Sequence, residues 1–143
     1  MSAKTDIAKA KEILTAGGFT CVLVKGDRVL SSRERGVKPL LDRLESGEDY
    51  GDYCAADKVV GKAAAFLCVL LKIKRIHACV ISIPALEVLK KYGIDVSFER
   101  SVEMIRNRTD TGYCPMEQAT LNISEPQEAL TAIKEALKRL NRA

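Results

Sequence analysis

The sequence predicts an α/β domain, a three-layer sandwich in which helices cover a mixed sheet of about five strands. Three observations carry that expectation. Phe19 to Lys25 and Arg28 to Ser32 are two strand-like runs separated by Gly26-Asp27, the pattern of a hairpin with a two-residue turn and therefore of an antiparallel pair. From Lys74 to Ser82 both alternating faces are apolar or small, Ile76, Ala78 and Val80 against His77, Cys79 and Ile81, as expected of a strand covered on both sides. A helix from Pro84 to Tyr92 and a short strand from Asp95 to Glu99 then complete a strand–helix–strand unit, whose right-handed crossover makes those two strands parallel.

The elements follow in order. Thr5 or Asp6 can cap a first helix with Ile7, Ala10 and Leu14 on one face, and Gly17-Gly18 can end it with positive φ. After the hairpin and the charged loop Arg33-Glu34-Arg35-Gly36, Pro39 in a first turn and Leu40, Leu41 and Leu44 read as a short helix stopping at Gly47. Gly47 to Cys54 reads as a polar loop. Asp57 can cap a helix running to about Leu71, burying Val60, Ala64, Leu67 and Leu71, with Gly61 and Ala65 permitting close approach to a sheet. Gly93 ends the Pro84 helix. Ser101 to Asn107 reads as a further helical turn or two, Arg108 to Pro115 as a polar loop, and Ala119, Leu121 and Ile123 alternate as a last strand. Ser124 with Gln127 makes a capping box for a closing helix with Leu130, Ile133, Leu137 and Leu140 on its buried stripe.

Composition bounds the function. The 143 residues fit one domain over 1–143, 47% hydrophobic and 29% charged; a chain of this size buries roughly 70% of its unfolded surface. The longest apolar stretch, Ala63 to Leu71, falls short of the ~20 residues that span a bilayer, which argues against a membrane partner. The first residues lack the basic, apolar and small-residue sequence of a secretory signal, so a cytoplasmic location is expected. The five cysteines, Cys21, Cys54, Cys68, Cys79 and Cys114, form no Cys-x-x-Cys pair and read mostly as reduced packing residues. A net charge of +4 mildly favours anionic ligands but is too dispersed for a nucleic-acid-binding face.

Four segments carry a resemblance: Glu34-Arg35-Gly36-Val37-Lys38-Pro39-Leu40, Ala56-Asp57-Lys58-Val59-Val60-Gly61-Lys62, Pro84-Ala85-Leu86-Glu87-Val88-Leu89, and Thr111-Gly112-Tyr113-Cys114-Pro115-Met116-Glu117. Through them nearly the whole chain resembles a small uncharacterised prokaryotic family with a cytidine-deaminase-like fold. The resemblance implies a fold and brings no activity with it. Deaminases of this fold carry His-x-Glu at one helix start and Pro-Cys-x-x-Cys at the next, three ligands for zinc and a proton-shuttling Glu. Matched residue by residue, Ala55 falls on the His position, Asp57 on the Glu, Pro84 on the Pro, and Ala85 and Val88 on the two Cys positions. No ligand remains, so zinc-dependent deamination is not expected. His77 and Cys79, two apart on the strand, read as buried sheet residues, and no metal or other cofactor is expected.

The remaining candidates are polar. Asp57 and Lys58 at one helix start, with Lys62 four residues on, can flank free N–H groups and bind an anion, and Ser82 before the Pro84 helix should open onto the same end of the sheet. The same residues equally serve as an N-cap and a solvated edge. Asn107 to Glu117 is the densest polar stretch; Arg108, Thr111, Gly112 and Glu117 are its candidate ligand-binding residues. Cys114 there is the candidate nucleophile, provided a nearby cation such as Arg106, Arg108 or Lys58 enriches its thiolate. Its other reading is a small residue before a turn proline. Arg33, Arg35 and Lys38 could clamp a phosphate or form an ordinary charged loop. Three functions follow: a domain binding a small anionic or nucleotide-like molecule between the Asp57 and Pro84 helix starts; a redox or transfer enzyme using Cys114, with Asp57 as the other candidate catalytic group; or a structural or regulatory homo-oligomer.

Overall fold

Strand pairing organises the chain into one five-stranded mixed sheet. The computed structural model describes residues 3–34, 36–107 and 112–142. In chain order the elements are α1 (Ala3–Gly17), β1 (Cys21–Lys25), β2 (Arg28–Ser32), α2 (Lys38–Glu45), β3 (Cys54–Val60), α3 (Lys62–Leu71), β4 (Arg75–Ser82), α4 (Ile83–Lys91), β5 (Asp95–Val102), α5 (Pro115–Thr120) and α6 (Pro126–Arg142). The sheet order is β2-β1-β3-β4-β5. β1 pairs antiparallel with both β2 and β3, and β3, β4 and β5 run parallel.

The hairpin is the predicted one: Lys25 faces Arg28 across the turn, and Gly26 adopts a φ of +59°, a left-handed conformation that favours glycine. The strand–helix–strand unit β4-α4-β5 is also as expected, with β5 extending three residues further than predicted, to Val102. On one face of the sheet α1 packs Ala10 and Leu14 against Val22, Val24 and Ala56. The larger core lies on the other face, where α2, α3, α4 and α6 meet residues such as Leu23, Ala55, Ile76 and Ile81. α3 is buried from Ala63 through Cys68, as a helix apolar on all sides should be when the sheet covers one flank and other helices the rest.

Six predicted features differ. The helix expected from Asp57 begins at Lys62; residues 54–60 are instead the central strand β3, hydrogen-bonded to β1 on one side and β4 on the other. Small residues and an Asp-Lys pair in 54–58 imitate a helix start, but Gly61 is extended, with φ −95° and ψ 179°, and pairing on both edges outweighs local preference. The predicted last strand around Ala119–Ile123 is the helix α5 and a turn, so the fifth strand is β3 in its place. Ser101–Asn107 finishes β5 and continues without a helix, and Arg106 bridges to Tyr113. The loop before β3 is not merely polar: Tyr50 and Tyr53 are buried edge-to-face, their ring centroids 5.3 Å apart. Asp6 lies inside α1 rather than capping it, and its Oδ1 accepts from Gly26 N of the hairpin turn at 3.2 Å. The closing helix begins at Pro126, with the Glu125 carbonyl accepting from Ala129 N, one residue later than a cap at Ser124 requires.

Candidate functional site

β3 determines where Asp57 points. Ala55 packs into the α3-side core and Ala56 into the α1 side, so the two-residue period of a strand turns Asp57 toward α3. The alternation then slips: Lys58 and Val59 are both exposed and Val60 is buried again. Asp57 is therefore the last inward group before the strand ends. It sits on the wall of a cleft of about 420 Å³ bounded by β1, β3, the first turn of α3, the entry to α2, Ile105 and the start of α5. Val37, Val59, Ala63, Ala64, Ile105 and Met116 make its walls largely apolar.

Asp57 is only 7% exposed. Its Oδ1 accepts from Val59 N at 3.2 Å, and the Cys21 thiol, on the β1 residue paired with it, is a further hydrogen-bond partner. Burial pushes its carboxyl up from an ordinary 3.8 to about 7, partly opposed by the Val59 N–H, the Cys21 thiol and the Lys58 N–H. The Cys21 thiol is in turn pushed well up, first by burial and then by the Asp57 charge. Among the described residues, no ion pair includes Asp57.

Glu117, at the first turn of α5, is 1% exposed and spans two elements. Its Oε1 accepts from Lys62 N at the start of α3, and its Oε2 accepts from Ile105 N at 3.1 Å. Gly61 at the N-cap of α3 contributes no side chain, and the distant carboxylate takes over the capping role. The glycine is needed for this, because a Cβ at residue 61 would stand 2.8 Å from Glu117 Oε1. The other helix start caps itself: Ser82, fully buried, accepts from Ala85 N at 3.2 Å.

The expected anion corner is therefore rearranged. Asp57, Lys58, Cys114 and Glu117 do line one cleft, but Lys58 lies on a strand and does not share a helix face with Lys62. Lys62 Nζ donates to the Leu121 carbonyl at 3.0 Å and, with Pro84 and Val88, lines a separate groove of about 480 Å³ between α3 and α4. The start of α3 thus borders both depressions, with Gly61, Ala63 and Ala64 on the cleft and Lys62 on the groove, where Pro84 of α4 also lies. Gly112 accepts from Asn107 N at 2.9 Å and does not line the cleft; Arg35, Arg108 and Thr111 lie outside the described residues. Arg33 donates to the Gly17 carbonyl at 2.9 Å and Lys38 pairs with Asp42 at 3.3 Å, so neither side chain is directed to a phosphate clamp. Cys114 is half-buried as the N-cap of α5. Cys54 starts β3, seven residues before Gly61 and hence roughly 20 Å away along an extended chain, which places it away from Cys114 at the cleft. Thr20, Cys21, Gly61, Ile105 and Met116 were not legible as site residues, although Gly61, an isolated glycine in a helix-like run, marked the true start of α3.

The zinc that a deaminase resemblance implies does not fit these residues. Gly61, Lys62, Ala63 and Ala64 stand at the start of α3 and Pro84, Ala85 and Val88 at that of α4; the alanines and Val88 are buried core residues without a ligating atom. Ala55 and Asp57, expected at a helix start, lie on β3, and the residues at the start of α3 lack a His-x-Glu as well. Among the described residues no group of three or more His, Cys, Asp or Glu is placed to hold a metal ion. His77 is buried on the α1 side, with Nδ1 2.8 Å from Ser97 Oγ and Nε2 3.4 Å from Glu99 Oε2. No helix among the described residues is long and apolar enough to cross a membrane.

Comparison with curated proteins gives no match. A crystal structure of a DUF1893 family protein from Thermotoga maritima is similar over 94% of this chain and 92% of that one, with 26% sequence identity and a TM-score of 0.86. Weaker likenesses are a dCMP deaminase from the cyanophage S-TIM5 in apo form (TM-score 0.46, 10% identity, 70% of this chain and 96% of that one) and a diaminohydroxyphosphoribosylaminopyrimidine deaminase/5-amino-6-(5-phosphoribosylamino)uracil reductase from Thermotoga maritima (TM-score 0.44, 15% identity, 68% and 36%). The family model described as a domain of unknown function, DUF1893, matches residues 9–137, and the chain belongs to that family.

Proposed function

We propose that this domain binds a small nucleotide-like molecule, seating its ring in the Asp57 cleft and leaving any anionic substituent outside, at the rim beside Lys58. The observation that carries the reading is a buried carboxyl on the wall of a largely apolar cleft, the combination of apolar walls and few polar groups typical of small-molecule sites. The ligand's charge does not belong at the helix starts, because Glu117 and Ser82 already engage N–H groups there.

The test is a thermal-shift and NMR comparison of nucleobases, nucleosides and nucleotides. A ligand at a hundred times its dissociation constant adds about 2.7 kcal/mol of stability, and the amides of Val59, Gly61 and Ala63 should shift with it. Compounds that move only amides of the α3–α4 groove, or none, would refute the cleft as the site.

A second reading has one observation in its favour: the Cys114 residue lines the same cleft. It makes Cys114 a nucleophile toward an electrophilic ligand held there. Alkylation rates measured against pH test it, since an ordinary thiol profile unaffected by cleft ligands would remove its basis.

A further inference from the structure

We propose that the cleft selects a flat organic cation, an amidinium or a protonated amino-heterocycle, whose N–H groups face Asp57. The inference rests on the cleft being the binding site and specifies the chemistry of the part that enters it.

Three observations point the same way. The Asp57 side chain is more than nine-tenths buried, and its hydrogen-bond partners are backbone N–H groups and a thiol, none of them a cation. An ionised carboxylate in that position carries a charge that nothing among the described residues neutralises, and a buried charge is tolerated best when paired. Among the described residues, the charged ones lining the cleft are Asp57, Lys58 and Glu117, two acids against one base. Lys58 is exposed, and among the described residues it forms no ion pair with Asp57. The apolar side chains Val37, Ile105 and Met116 complete walls that suit a ring and exclude a bulky hydrated ion.

A cationic ring supplies the missing counter-charge. Its N–H donates to the Asp57 carboxylate as a charge-assisted hydrogen bond, roughly twice as strong as a neutral one. Where Asp57 is protonated before binding, that proton leaves to solvent as the cation arrives. No bond in the ligand is made or broken.

Three isosteric probes separate the possibilities: benzamidine (cation), benzamide (neutral) and benzoate (anion), each titrated against the full chain by NMR. Benzamidine should shift the Val59, Gly61 and Ala63 amides and bind about tenfold more tightly than benzamide, with benzoate weakest. Asp57→Asn should reduce benzamidine to the level of benzamide. As a check that needs no variant, wild-type affinity for benzamidine should rise between pH 5.5 and 8 while that for benzamide stays level. Among the described residues, the other titratable or charged groups around Asp57 are Cys21 from β1, Cys68 from α3, Cys79 from β4, Cys114 and Glu117 from the α5 side, and Lys58. Benzoate binding as tightly as benzamidine, or a preference that survives Asp57→Asn, overturns the proposal. Equal binding of benzamidine and benzamide at the cleft amides overturns the cation preference and leaves the cleft as a site; failure of every ring compound to reach those amides overturns both.

Discussion

Asp57 should make this protein less stable as the pH rises through neutrality, and the size of the effect follows from its burial. The unfolded chain holds the carboxyl at an ordinary 3.8 and the folded chain at about 7. Between those values the folded state binds the proton more readily than the unfolded state. The contribution of this group is therefore most favourable below about pH 4 and is progressively lost as pH rises through 7. At 1.36 kcal/mol per pH unit, the full loss is about 4 kcal/mol, a large share of the 5–15 kcal/mol by which domains are ordinarily stable. Asp57→Asn keeps the shape and removes the charge, at the cost of an amide N–H₂ facing groups that include the Val59 and Lys58 N–H donors. Urea unfolding at intervals from pH 5 to 8.5 should give a wild-type stability that falls relative to Asp57→Asn, with the variant's relative gain largest at pH 8.5. Wild type and variant falling or rising in parallel across that range would refute the reasoning, because it would mean that Asp57 is not titrating in the folded state.

Three further outcomes are expected. Glu117→Ala leaves the Lys62 and Ile105 N–H groups without the acceptor they now share and should cost about 2–4 kcal/mol in urea unfolding; Glu117→Gln, which retains one acceptor, should cost less. Gly61→Ala sets a Cβ against the same carboxylate and should destabilise by about 1–3 kcal/mol, with the loss reduced when it is combined with Glu117→Ala. In the native protein, iodoacetamide should modify the partly exposed Cys79 and Cys114 before the buried Cys21, Cys54 and Cys68, as read by peptide mass spectrometry; equal labelling of all five would contradict the packing.

The outer parts of the fold were legible because local signals agreed with the tertiary outcome. Gly26-Asp27 fixed the hairpin, Pro84 the start of α4, and the apolar faces of residues 74–82 the buried β4. The centre was not legible. The residues Cys54–Val60 carry alanines and an Asp-Lys pair, and nothing local reports that β1 and β4 will hold them from both sides. The same pairing hides the arrangement of the cleft. Once β3 is taken for a helix, Cys21 cannot be paired with Asp57, and Lys58 and Lys62 appear to share a face. Asp57, Lys58, Cys114 and Glu117 still fall in one cleft, the first two legible as a polar pair ahead of an apolar helix and the other two as members of the polar stretch Asn107 to Glu117. Glu117's role was hidden for a different reason: its partners are 55 and 12 residues away in sequence.

The junction between β3 and α3 is a single residue, Gly61. Such a joint leaves no slack between the central strand and the most deeply packed helix, so the side of the cleft bearing Asp57 moves only if the sheet itself deforms. The facing side belongs to Ile105 and α5; Glu117, itself on α5, accepts from Ile105 N within that side and from Lys62 N of the rigid block, and the Lys62 side chain returns to the Leu121 carbonyl just after α5. Glu117 therefore ties the two sides of the cleft together as well as lining it, so a change at this one residue alters the cleft's shape and its charge at once.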